Sequence, residues 1–536
     1  MRVRGRSAAA ALATLLALAG CTAAPEPAPA GVIARVAQQQ EKPPPVPPAR
    51  RLGLVTGWGP TADELDRAAR LVGRLALPDL AGQVIVAEWV GTRAPTRLVR
   101  SLHLGGVIAF GANVASTGQI RAVNRTLSRA VPRDWPLFLA VDQEGGLVQR
   151  VQGDATRFPA FMSAGAARRP ALTRAAARAG GAELRGLGFT VDFAPDADVT
   201  TGPEDPTIGS RSAGSDPGVV AEHATAAARG LLASGVVPVL KHFPGHGSVP
   251  ADSHLSLPVQ TRTLHRLRAA DLVPFRVGID AGLPAVMVGH LDVRNVDPRV
   301  PSSLSRRLVM GLLRSELGFQ GLVVTDSLSM TGVRATHDGA ESAVQALLAG
   351  VDVVLMPPDP AYARAGIIRA VRTGGLSRGR LEQAAARQVA LLLHQQGTTG
   401  RPPGSGVAAS RALSGAAVTV VAGPCRGRLV GRTVRPVGDP VAVARFVAAA
   451  RAAGLPVRRR GTRVAFAGYG EGAVRADVAV AVDSPYVLGP SRARVKIATY
   501  GDTPGAMAAL VEVLTGAARA PGRLPVAVAG RAPRTC

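Results

Sequence analysis

Eight short apolar runs, separated by segments of helical character, constrain the fold of this chain more than any other feature. In chain order they are QVIVAEW (83–89), GGVIAF (105–110), PLFLAVD (136–142), FTVDFAPDAD (189–198), VVPVLKH (236–242), AVMVGH (285–290), GLVVTD (321–326) and VDVVLMP (351–357). Such runs suit strands that are buried on both faces of a parallel sheet. Eight strand–helix units over about 280 residues match a (β/α)8 barrel. An open doubly wound sheet is the alternative, but no dinucleotide-type glycine pattern follows the first run.

Polar residues stand at the C-terminal ends of several runs. They are Asp142, Asp198, His242, His290 and Asp326. In a barrel these ends surround one mouth, where active sites of this fold lie. The sequence therefore predicts an α/β protein with a TIM-type barrel whose polar strand ends form one site.

A second domain is predicted after the barrel. Residues 395–414 include QQGTTGRPPGSG, a composition typical of a linker. Beyond it, five short strand-like runs, some with helical segments between them, indicate a smaller α/β sandwich domain. We therefore predict a catalytic barrel over 51–394, a linker over 395–414 and a C-terminal domain over 415–536.

The N-terminal residues predict export. Arginines at the first positions precede an apolar stretch (8–18) that is too short to span a bilayer permanently. The next residues, Leu18-Ala19-Gly20-Cys21, resemble a bacterial lipobox, in which the cysteine is lipidated after cleavage. The alternative is an ordinary signal peptide with an incidental cysteine. We expect residues 1–21 to be a lipoprotein signal peptide with Cys21 as the lipidation site, which anchors the protein to the outer face of the cytoplasmic membrane.

Residues 22–50 are rich in Ala, Pro and Gln and have little to bury, so they are predicted to form a disordered or polyproline-like tether. Two further cysteines, Cys425 and Cys536, lie near the C-terminal end. Outside the cytoplasm they could form a disulfide, and two free thiols are the alternative.

The formal net charge of +26 is compatible with a nucleic-acid-binding protein, but other features of the sequence argue against this function. The arginines are dispersed, and no zinc-finger, helix-turn-helix or aromatic-basic signature accompanies them. Attraction to anionic lipid and wall polymers is the expected consequence of the charge. We expect no nucleic-acid partner, and the sequence identifies no protein partner.

The stretch KHFPGHGSVPADSH (241–254) holds three of the nine histidines. His242 and His246 are four apart, but Pro244-Gly245 between them indicates a loop, so no metal site is predicted. The stretch lacks the glycine spacing and Lys-Ser/Thr ending of a phosphate-binding loop. An ordinary loop histidine remains the alternative for His246.

Acid–base chemistry fits this stretch better. Asp252 and His254 flank Ser253, and a carboxylate beside an imidazole fixes its tautomer and stabilises its protonated form. Such a histidine can both give and take a proton near neutrality. Lys241 and His242, at a strand end, would point hydrogen-bond donors into the pocket.

Together these residues resemble a known family. The pattern Lys-His-Phe-Pro-Gly-His-Gly, four residues, Asp-Ser-His is similar to the signature of the β-N-acetylglucosaminidase branch of glycoside hydrolase family three. Further stretches follow in that family's order: VDQEGGLVQR (141–150), DFAPDADV (192–199), IGSRSAG (208–214), VMVGH (286–290) and VTDSLSM (324–330). TYGDTP and PGRLPV (521–526) resemble members with an appended α/β sandwich. The resemblance covers about residues 65–536.

The resemblance implies specific roles. Asp326 would be the catalytic nucleophile, and His254 with Asp252 the general acid/base. The positions that match substrate-binding residues of the family are Asp142, Arg150, Arg211, Lys241, His242, Met287 and His290. No cofactor is implied. The expected substrate is a glycan with β-linked N-acetylglucosamine (GlcNAc) at its non-reducing end, drawn from peptidoglycan fragments or chitooligosaccharides.

Three alternatives remain open. An imidazole base does not repel an anionic acceptor, so phosphate could replace water and make the enzyme a phosphorylase. A β-glucosidase of the same family would share the barrel and Asp326, although the histidine loop argues against it. The last alternative is a glycan-binding lipoprotein that has lost activity.

Overall fold

The computed structural model describes residues 46–205, 207–468 and 470–529. The predicted signal peptide, Cys21 and residues 22–45 of the predicted tether lie outside these ranges. The helix α1 begins at Pro48, so the last three residues of the predicted tether are helical and Ala49 is buried.

All eight predicted strands are present in the N-terminal part of the chain. They are β1 (Ile85–Ala87), β2 (Gly106–Ala109), β3 (Phe138–Val141), β4 (Val191–Asp192), β5 (Leu240–Phe243), β6 (Ala285–Val288), β7 (Leu322–Thr325) and β8 (Val354–Leu355). Every residue in these strands is buried. Burial on both faces is the reason that the strands appear as continuous apolar runs instead of alternating ones.

These strands close into a parallel barrel. β8 pairs with β1, and pairing continues through β2, β3 and β4. β4 pairs with Val237–Pro238, which directly precedes β5, and β5 pairs onward with β6 and β7. A parallel bridge between Val324 and Val353 joins β7 back to β8. The predicted TIM-type barrel is confirmed.

Helices surround the barrel and fill the second domain. Their bounds are α1 (Pro48–Arg51), α2 (Ala62–Gly73), α3 (Leu77–Gln83), α4 (Thr96–Leu102), α5 (Thr117–Leu127), α6 (Met162–Ala167), α7 (Pro170–Gly186), α8 (Pro217–Leu232), α9 (Leu264–Ala269), α10 (Val273–Asp280), a π-helix (Arg307–Glu316), α11 (Thr331–Arg334), α12 (Gly339–Ala349), α13 (Pro360–Arg372), α14 (Arg378–His394), α15 (Val407–Ala417), α16 (Pro440–Ala452) and α17 (Pro504–Thr515). Side-chain caps begin many of them. Asp216, for example, accepts two amide hydrogen bonds at the start of α8, with Pro217 in the first turn.

The second domain is built on one five-stranded sheet. Its strands are β9 (Thr419–Ala422), β10 (Val434–Gly438), β11 (Thr462–Ala467), β12 (Val478–Ala481) and β13 (Val495–Ala498). They lie in the order β9-β13-β12-β11-β10, and only β9 is antiparallel to its neighbour. One apolar cluster joins the sheet to α16 and α17, and a second joins it to α6 and α15.

The predicted linker differs from the structure in its second half. α15 begins at Val407, so the last eight residues of the 395–414 segment are helical and partly buried. The first half is also held, because the amide of Arg401 donates to the carbonyl of Ala182 and the amide of Gly406 to Glu183. Glycine and proline mark where the chain turns, and here the turning segment packs against α7.

Two further findings concern the cysteines and the predicted membrane-spanning potential of the helices. Cys425 is disulfide-bonded, while Cys21 and Cys536 lie outside the described residues. Within the part of the chain that the structure describes, no helix has both the length and the apolar character needed to cross a bilayer.

Candidate active site

A cavity of about 1160 Å³ opens at the C-terminal ends of the barrel strands. It is lined by all the predicted catalytic and substrate-binding residues except His290: Asp142, Arg150, Arg211, Lys241, His242, Asp252, His254, Met287 and Asp326. The topology explains the gathering, since parallel strands of a barrel end at a common rim.

One side of the cavity is a set of ion pairs that we call the ionic wall, formed by Asp142, Glu144, Arg211 and Lys241. Lys241 Nζ lies 2.7 Å from Asp142 Oδ1 and 2.6 Å from Glu144 Oε1. Arg211 binds Glu144 in a bidentate manner, with both N–O distances 2.8 Å. Fork-to-fork geometry of this kind fixes the guanidinium in one orientation.

All members of the ionic wall that show a shifted pKa favour their charged forms. Burial opposes ionisation of Glu144, but Arg211 and Lys241 outweigh it and hold the pKa of that carboxyl far below its ordinary value. Burial likewise opposes the charge of Lys241, and Asp142 and Glu144 raise its pKa above the ordinary value. The wall therefore presents fixed charges and hydrogen-bond donors to the cavity.

The turn after β3 positions Glu144 of the ionic wall and also Arg150. Gln143–Gly145 and Val148–Gln149 pair as a short antiparallel hairpin that carries Glu144 and leads into Arg150. The Arg150 guanidinium lies over the ring of Phe110, 5.6 Å from its centroid. Its Nε is buried and has no hydrogen-bond partner among the described residues. Arg150 therefore lines the cavity with a hydrogen-bond donor that no described residue uses.

His242 is oriented by Asp198. Its Nδ1 lies 2.7 Å from Asp198 Oδ2, and the same oxygen accepts its backbone amide at 3.2 Å. Because a carboxylate only accepts, Nδ1 carries a proton and Nε2 is left for the cavity side, 3.5 Å from Arg211 Nη2. Asp198 thus acts from behind the wall.

Asp196, Asp198 and His242 are the residues that could hold a metal ion, since each offers a ligand atom within 4.8 Å of the others. Asp198 already accepts His242 and the amide of His246. Arg211 Nη2 lies 3.8 Å from Asp196 Oδ2 and supplies positive charge there. Burial and the neighbouring Asp198 nevertheless raise the pKa of Asp196 well above its ordinary value, so Asp196 favours its neutral form. Asp198 and His242 are bound to each other within the protein.

Asp326 directly follows β7 and is held by backbone contacts on both sides. Its amide donates to the carbonyl of Val288 at 2.8 Å, and the amide of Ser327 donates to its Oδ1 at 2.7 Å. Burial raises the pKa of this carboxyl, but His242, His290 and the Ser327 amide outweigh burial, so its pKa lies below the ordinary value. Asp326 is therefore an anionic carboxylate at a rigid strand end.

His290 does not line the cavity, contrary to the prediction that it binds substrate. Its side chain is fully buried, with Nδ1 2.8 Å from Ser303 Oγ and Nε2 2.9 Å from the carbonyl oxygen of Ser327. Both ring nitrogens are used inside the protein. Since a carbonyl only accepts, Nε2 carries the proton, and His290 supports the turn that follows Asp326.

The loop after β5 carries the predicted acid/base pair. Asp252 Oδ1 accepts both the backbone amide of His254 at 2.9 Å and its Nδ1 at 2.7 Å. Burial raises the pKa of Asp252, but these two hydrogen bonds outweigh it and lower the pKa. His254 Nε2 is thereby left to exchange a proton with a ligand, and 65% of the His254 side chain is exposed.

The same loop is anchored by His246. This side chain is buried, and its Nε2 lies 3.1 Å from the Oγ of the buried Ser253. Burial lowers the pKa of His246 to about 4. The backbone of Ser253 also accepts the amide of Gly332 in α11 at 3.3 Å. His246 is therefore a structural loop histidine, the alternative that the sequence left open.

The second domain completes the cavity. Its lining includes Gly468, Glu471, Asp483, Ser484 and Tyr486, which follow the C-terminal ends of β11 and β12. Ser210 Oγ in the barrel donates to a carboxylate oxygen of Asp483. This bond lies next to Arg211, so the two domains share the segment that carries a wall residue.

The comparisons with known proteins agree with this geometry. The profile of the glycosyl hydrolase family 3 N terminal domain matches residues 78–391. The chain belongs to glycosyl hydrolase family 3. As a member of this family, it is a glycoside hydrolase, and the predicted family and enzyme class are confirmed.

Individual relatives add detail. A β-hexosaminidase of Xylella fastidiosa (strain 9a5c) is 42% identical over 259 residues, which cover 47% of this chain and 76% of that protein. β-Hexosaminidase A of Pseudoalteromonas piscicida is 36% identical over 281 residues, 49% of this chain, and this match spans only 47% of that protein's length.

A solved structure matches both domains. A glycoside hydrolase family 3 β-N-acetylglucosaminidase from Paenibacillus sp. str. FPU-7 superposes with a TM-score of 0.76 and 28% identity, covering 85% of this chain and 99% of that chain. The predicted architecture, a barrel followed by a smaller α/β domain, is confirmed. The role of each site residue stays a prediction.

Proposed function

We propose that this protein is a retaining exo-β-N-acetylglucosaminidase. One observation carries the proposal: the anionic Asp326 and the His254–Asp252 pair line the same cavity, beside a wall of fixed charges. A retaining glycosidase needs a nucleophile and a proton donor around one anomeric carbon. Those two functions are present on two separate elements, a strand end and a loop.

In the first half-reaction Asp326 attacks the anomeric carbon. The bond from that carbon to the leaving oxygen breaks as the bond to the carboxylate forms, and the leaving oxygen takes the proton of His254 Nε2. Asp252 stabilises the imidazolium that supplies this proton, because its carboxylate lies 2.7 Å from Nδ1. The result is a covalent glycosyl–enzyme and a neutral His254.

In the second half-reaction His254 takes a proton from water. The oxygen of that water attacks the anomeric carbon, the bond to Asp326 breaks, and the sugar leaves with its original configuration. Asp326 is regenerated as a carboxylate, and its lowered pKa favours it as a leaving group. His254 is again protonated for the next cycle.

The ionic wall binds the sugar. Lys241 and Arg150 offer donors to hydroxyl oxygens, and Asp142 offers acceptors. Since Glu144 neutralises Lys241 and Arg211 from behind, the wall keeps its geometry without a ligand. Preorganised groups of this kind spend no reorganisation energy in the transition state.

Peptidoglycan fragments that begin with GlcNAc are the proposed substrates, with chitooligosaccharides as the alternative. The named relatives are β-hexosaminidases and a β-N-acetylglucosaminidase. The cavity extends beyond the barrel to the second-domain loops, which leaves room for an aglycone. Export and anchoring through Cys21, proposed from the sequence, would place the enzyme among such fragments.

Water is the proposed acceptor, and phosphate is the tested alternative. The cavity is lined by Glu88, Asp205 and Glu471 in addition to the proposed catalytic carboxylates, and their charge disfavours an anionic acceptor. Of the cations in the lining, Lys241 and Arg211 are already paired with carboxylates. Product analysis on a GlcNAc-containing disaccharide with and without inorganic phosphate decides the matter. A sugar 1-phosphate that grows with phosphate concentration would show phosphorolysis.

The decisive experiment tests the nucleophile. We expect hydrolysis of a chromogenic β-GlcNAc substrate, and a loss of kcat/KM of at least about 10⁴-fold in Asp326→Ala. A 5-fluoro GlcNAc donor should leave an adduct that peptide mass spectrometry places on Asp326. An active enzyme with no adduct, or an adduct on another residue, would contradict the proposal. A total lack of activity in a folded wild-type protein would favour the binding-lipoprotein alternative.

A further inference from the structure

One edge of the second domain is covered by arginines, and we call this surface the arginine face. All its members are exposed: Arg426, Arg428, Arg432, Arg435, Arg458, Arg459, Arg460, Arg463, Arg475, Arg492 and Arg494. They come from four segments, 424–435, 457–463, 475–477 and 492–494, that are distant in sequence. The fold therefore assembles a cationic surface that no single run of the sequence displays.

The sheet topology brings these segments together. The parallel strands β10, β11, β12 and β13 all begin at this edge, and the antiparallel β9 ends there. Arg435 and Arg463 are register partners on neighbouring strands. Arg475 and Arg492 are joined by a parallel bridge. Like charges thus lie side by side, an arrangement that costs stability unless a ligand neutralises it.

The protein does little to neutralise this charge. No arginine of the face forms an ion pair with another described residue, whereas exposed barrel arginines such as Arg268 and Arg378 do. Asp477 is the one acidic residue in the four segments, and its carboxylate accepts the backbone amide of Arg463. The face therefore carries a large uncompensated positive charge toward solvent.

Most of the arginine face, the 424–435 and 457–463 segments, contributes no residue to the lining of the catalytic cavity. The C-terminal ends of β11 and β12 lead to the loops that line the cavity, while their N-terminal ends carry the arginines. At about 3.3 Å per residue, the length of β11 places the 457–463 segment about 20 Å from the cavity loop that follows β11. Arg475 and Arg492 are nearer to the cavity, because Ala473 and Pro490, each two residues away along the chain, line it. A partner that contacts the 424–435 and 457–463 segments would leave the cavity open.

We propose that the arginine face docks the second domain onto an anionic lipid bilayer. The face spreads its charge over four segments and contains no aromatic residue, so it lacks the stacking groups of a single-stranded nucleic-acid site. Exposed basic side chains are attracted to anionic headgroups within about a Debye length, roughly 10 Å.

The position of the predicted lipid anchor also favours a lipid bilayer as the partner of the arginine face. The predicted anchor at Cys21 precedes α1, and Gln383 of α14 in the barrel donates to the carbonyl of Leu52 at the end of that helix. Lipid and arginines would therefore hold different domains. Two weak membrane contacts on one protein reinforce each other and also fix its orientation.

The test compares two triple variants in the full chain, each with Cys21→Ala so that no lipid is attached. In the first, Arg458, Arg459 and Arg460 are changed to Glu. The control changes the exposed barrel residues Arg121, Arg125 and Arg129 to Glu, which alters net charge equally. Residues 1–45 are otherwise identical in all proteins, so any contribution they make is shared. Cosedimentation is measured with vesicles of phosphatidylcholine alone or mixed with phosphatidylglycerol.

The protein with Cys21→Ala alone should bind vesicles that contain phosphatidylglycerol more strongly than vesicles of phosphatidylcholine. Relative to that protein, the preference should fall at least about tenfold in the first variant and less than about twofold in the control. High salt should abolish the preference, and activity on a soluble chromogenic substrate should be unchanged, which shows that the fold is intact. Equal losses in both variants would show a net-charge effect and overturn the proposal. A first variant that loses binding to soluble polyphosphate but keeps vesicle binding would overturn it in favour of a polyanionic polymer.

Discussion

The ionic wall and the loop after β5 that carries Asp252 and His254 face the same cavity but are built in opposite ways. In the wall, Lys241 is 3% exposed and its charge is satisfied by two carboxylates. In the loop, His254 is 65% exposed, and among the described residues its side chain hydrogen-bonds to Asp252 alone. The wall is held by ion pairs within the protein, whereas the loop carries the proposed proton donor in an exposed position beside the cavity.

The difference follows from what each region must do. Sugar hydroxyls need fixed partners, and burial among ion pairs supplies them. A proton donor that later becomes a base must change its charge in each cycle, and a partly exposed position keeps that change inexpensive. The comparison predicts that wall variants damage both stability and binding, while loop variants damage chemistry alone.

Between the wall and the loop, the largest effect is expected for His254→Ala. With a poor leaving group such as a second sugar, kcat/KM should fall by about 10³-fold, because no other donor protonates the departing oxygen. With a dinitrophenyl leaving group, which needs no proton, the first half-reaction should lose less than about tenfold. Steady-state and burst kinetics on both substrates measure this. Equal losses on the two substrates would remove His254 from the acid role.

Glu144→Gln should have the next largest effect. The change leaves Lys241 and Arg211 buried beside a neutral amide, which costs about 3 kcal/mol of unfolding free energy and about 10²-fold in kcat/KM. Thermal unfolding and kinetics measure both. Glu316→Gln is the matched control, since Glu316 makes a similar bidentate pair with Arg268 at the surface. If both variants unfold at the wild-type temperature, the wall is not the rigid element described.

Asp252→Asn should cost about tenfold in kcat/KM and leave thermal stability nearly unchanged. Asparagine can still accept the His254 amide, but it no longer stabilises the imidazolium. The loss should again be greater with the poor leaving group. A drop in the unfolding temperature as large as that of Glu144→Gln would erase the distinction between loop and wall.

The smallest effect concerns pH. The pKa of His246 is about 4 in the folded protein, below the ordinary value of 6.5, so the unfolded chain binds the extra proton. Stability from this histidine is complete above about pH 6.5 and decreases as the pH falls toward 4, by about 2 kcal/mol at pH 5. His246→Gln should therefore lose less stability between pH 7 and pH 5 than wild type.

His223→Gln provides the comparison for that experiment. Burial also lowers the pKa of His223 to about 4, but this residue lies in α8, where its Nδ1 contacts Thr173. Both variants should flatten the pH dependence of the unfolding midpoint. Only His246→Gln should also speed proteolytic cleavage of the 247–257 loop. Identical cleavage rates would mean that His246 does not anchor it.

The fold was predictable because its strands are buried on both faces. Each strand then appears as an apolar run, and the residue after it falls on the barrel rim, as with Asp326. Lys241 and His242 line the same cavity, although the structure places them within β5 and not after it. The short range between Asp252 and His254 made their pairing predictable without any knowledge of tertiary structure.

The remaining features depend on contacts between distant segments. Glu144 lies in a motif that the sequence displays, but only the fold brings it to Arg211 and Lys241. His290 follows a strand end as Asp326 does, yet Ser303 and Ser327 turn it inward. The start of α15 was assigned to the linker because glycine and proline directly precede it.

The bond between Ser210 and Asp483 makes the barrel dependent on its neighbour. The same segment meets Pro525, whose carbonyl accepts the amide of Ser215, and Gly214 leaves no space there for a side chain. Arg211, which pairs with Glu144 in the proposed sugar site, therefore lies in a segment that the second domain holds in place. We therefore expect that removal of the C-terminal domain would leave the apolar interior of the barrel complete but would weaken ligand binding.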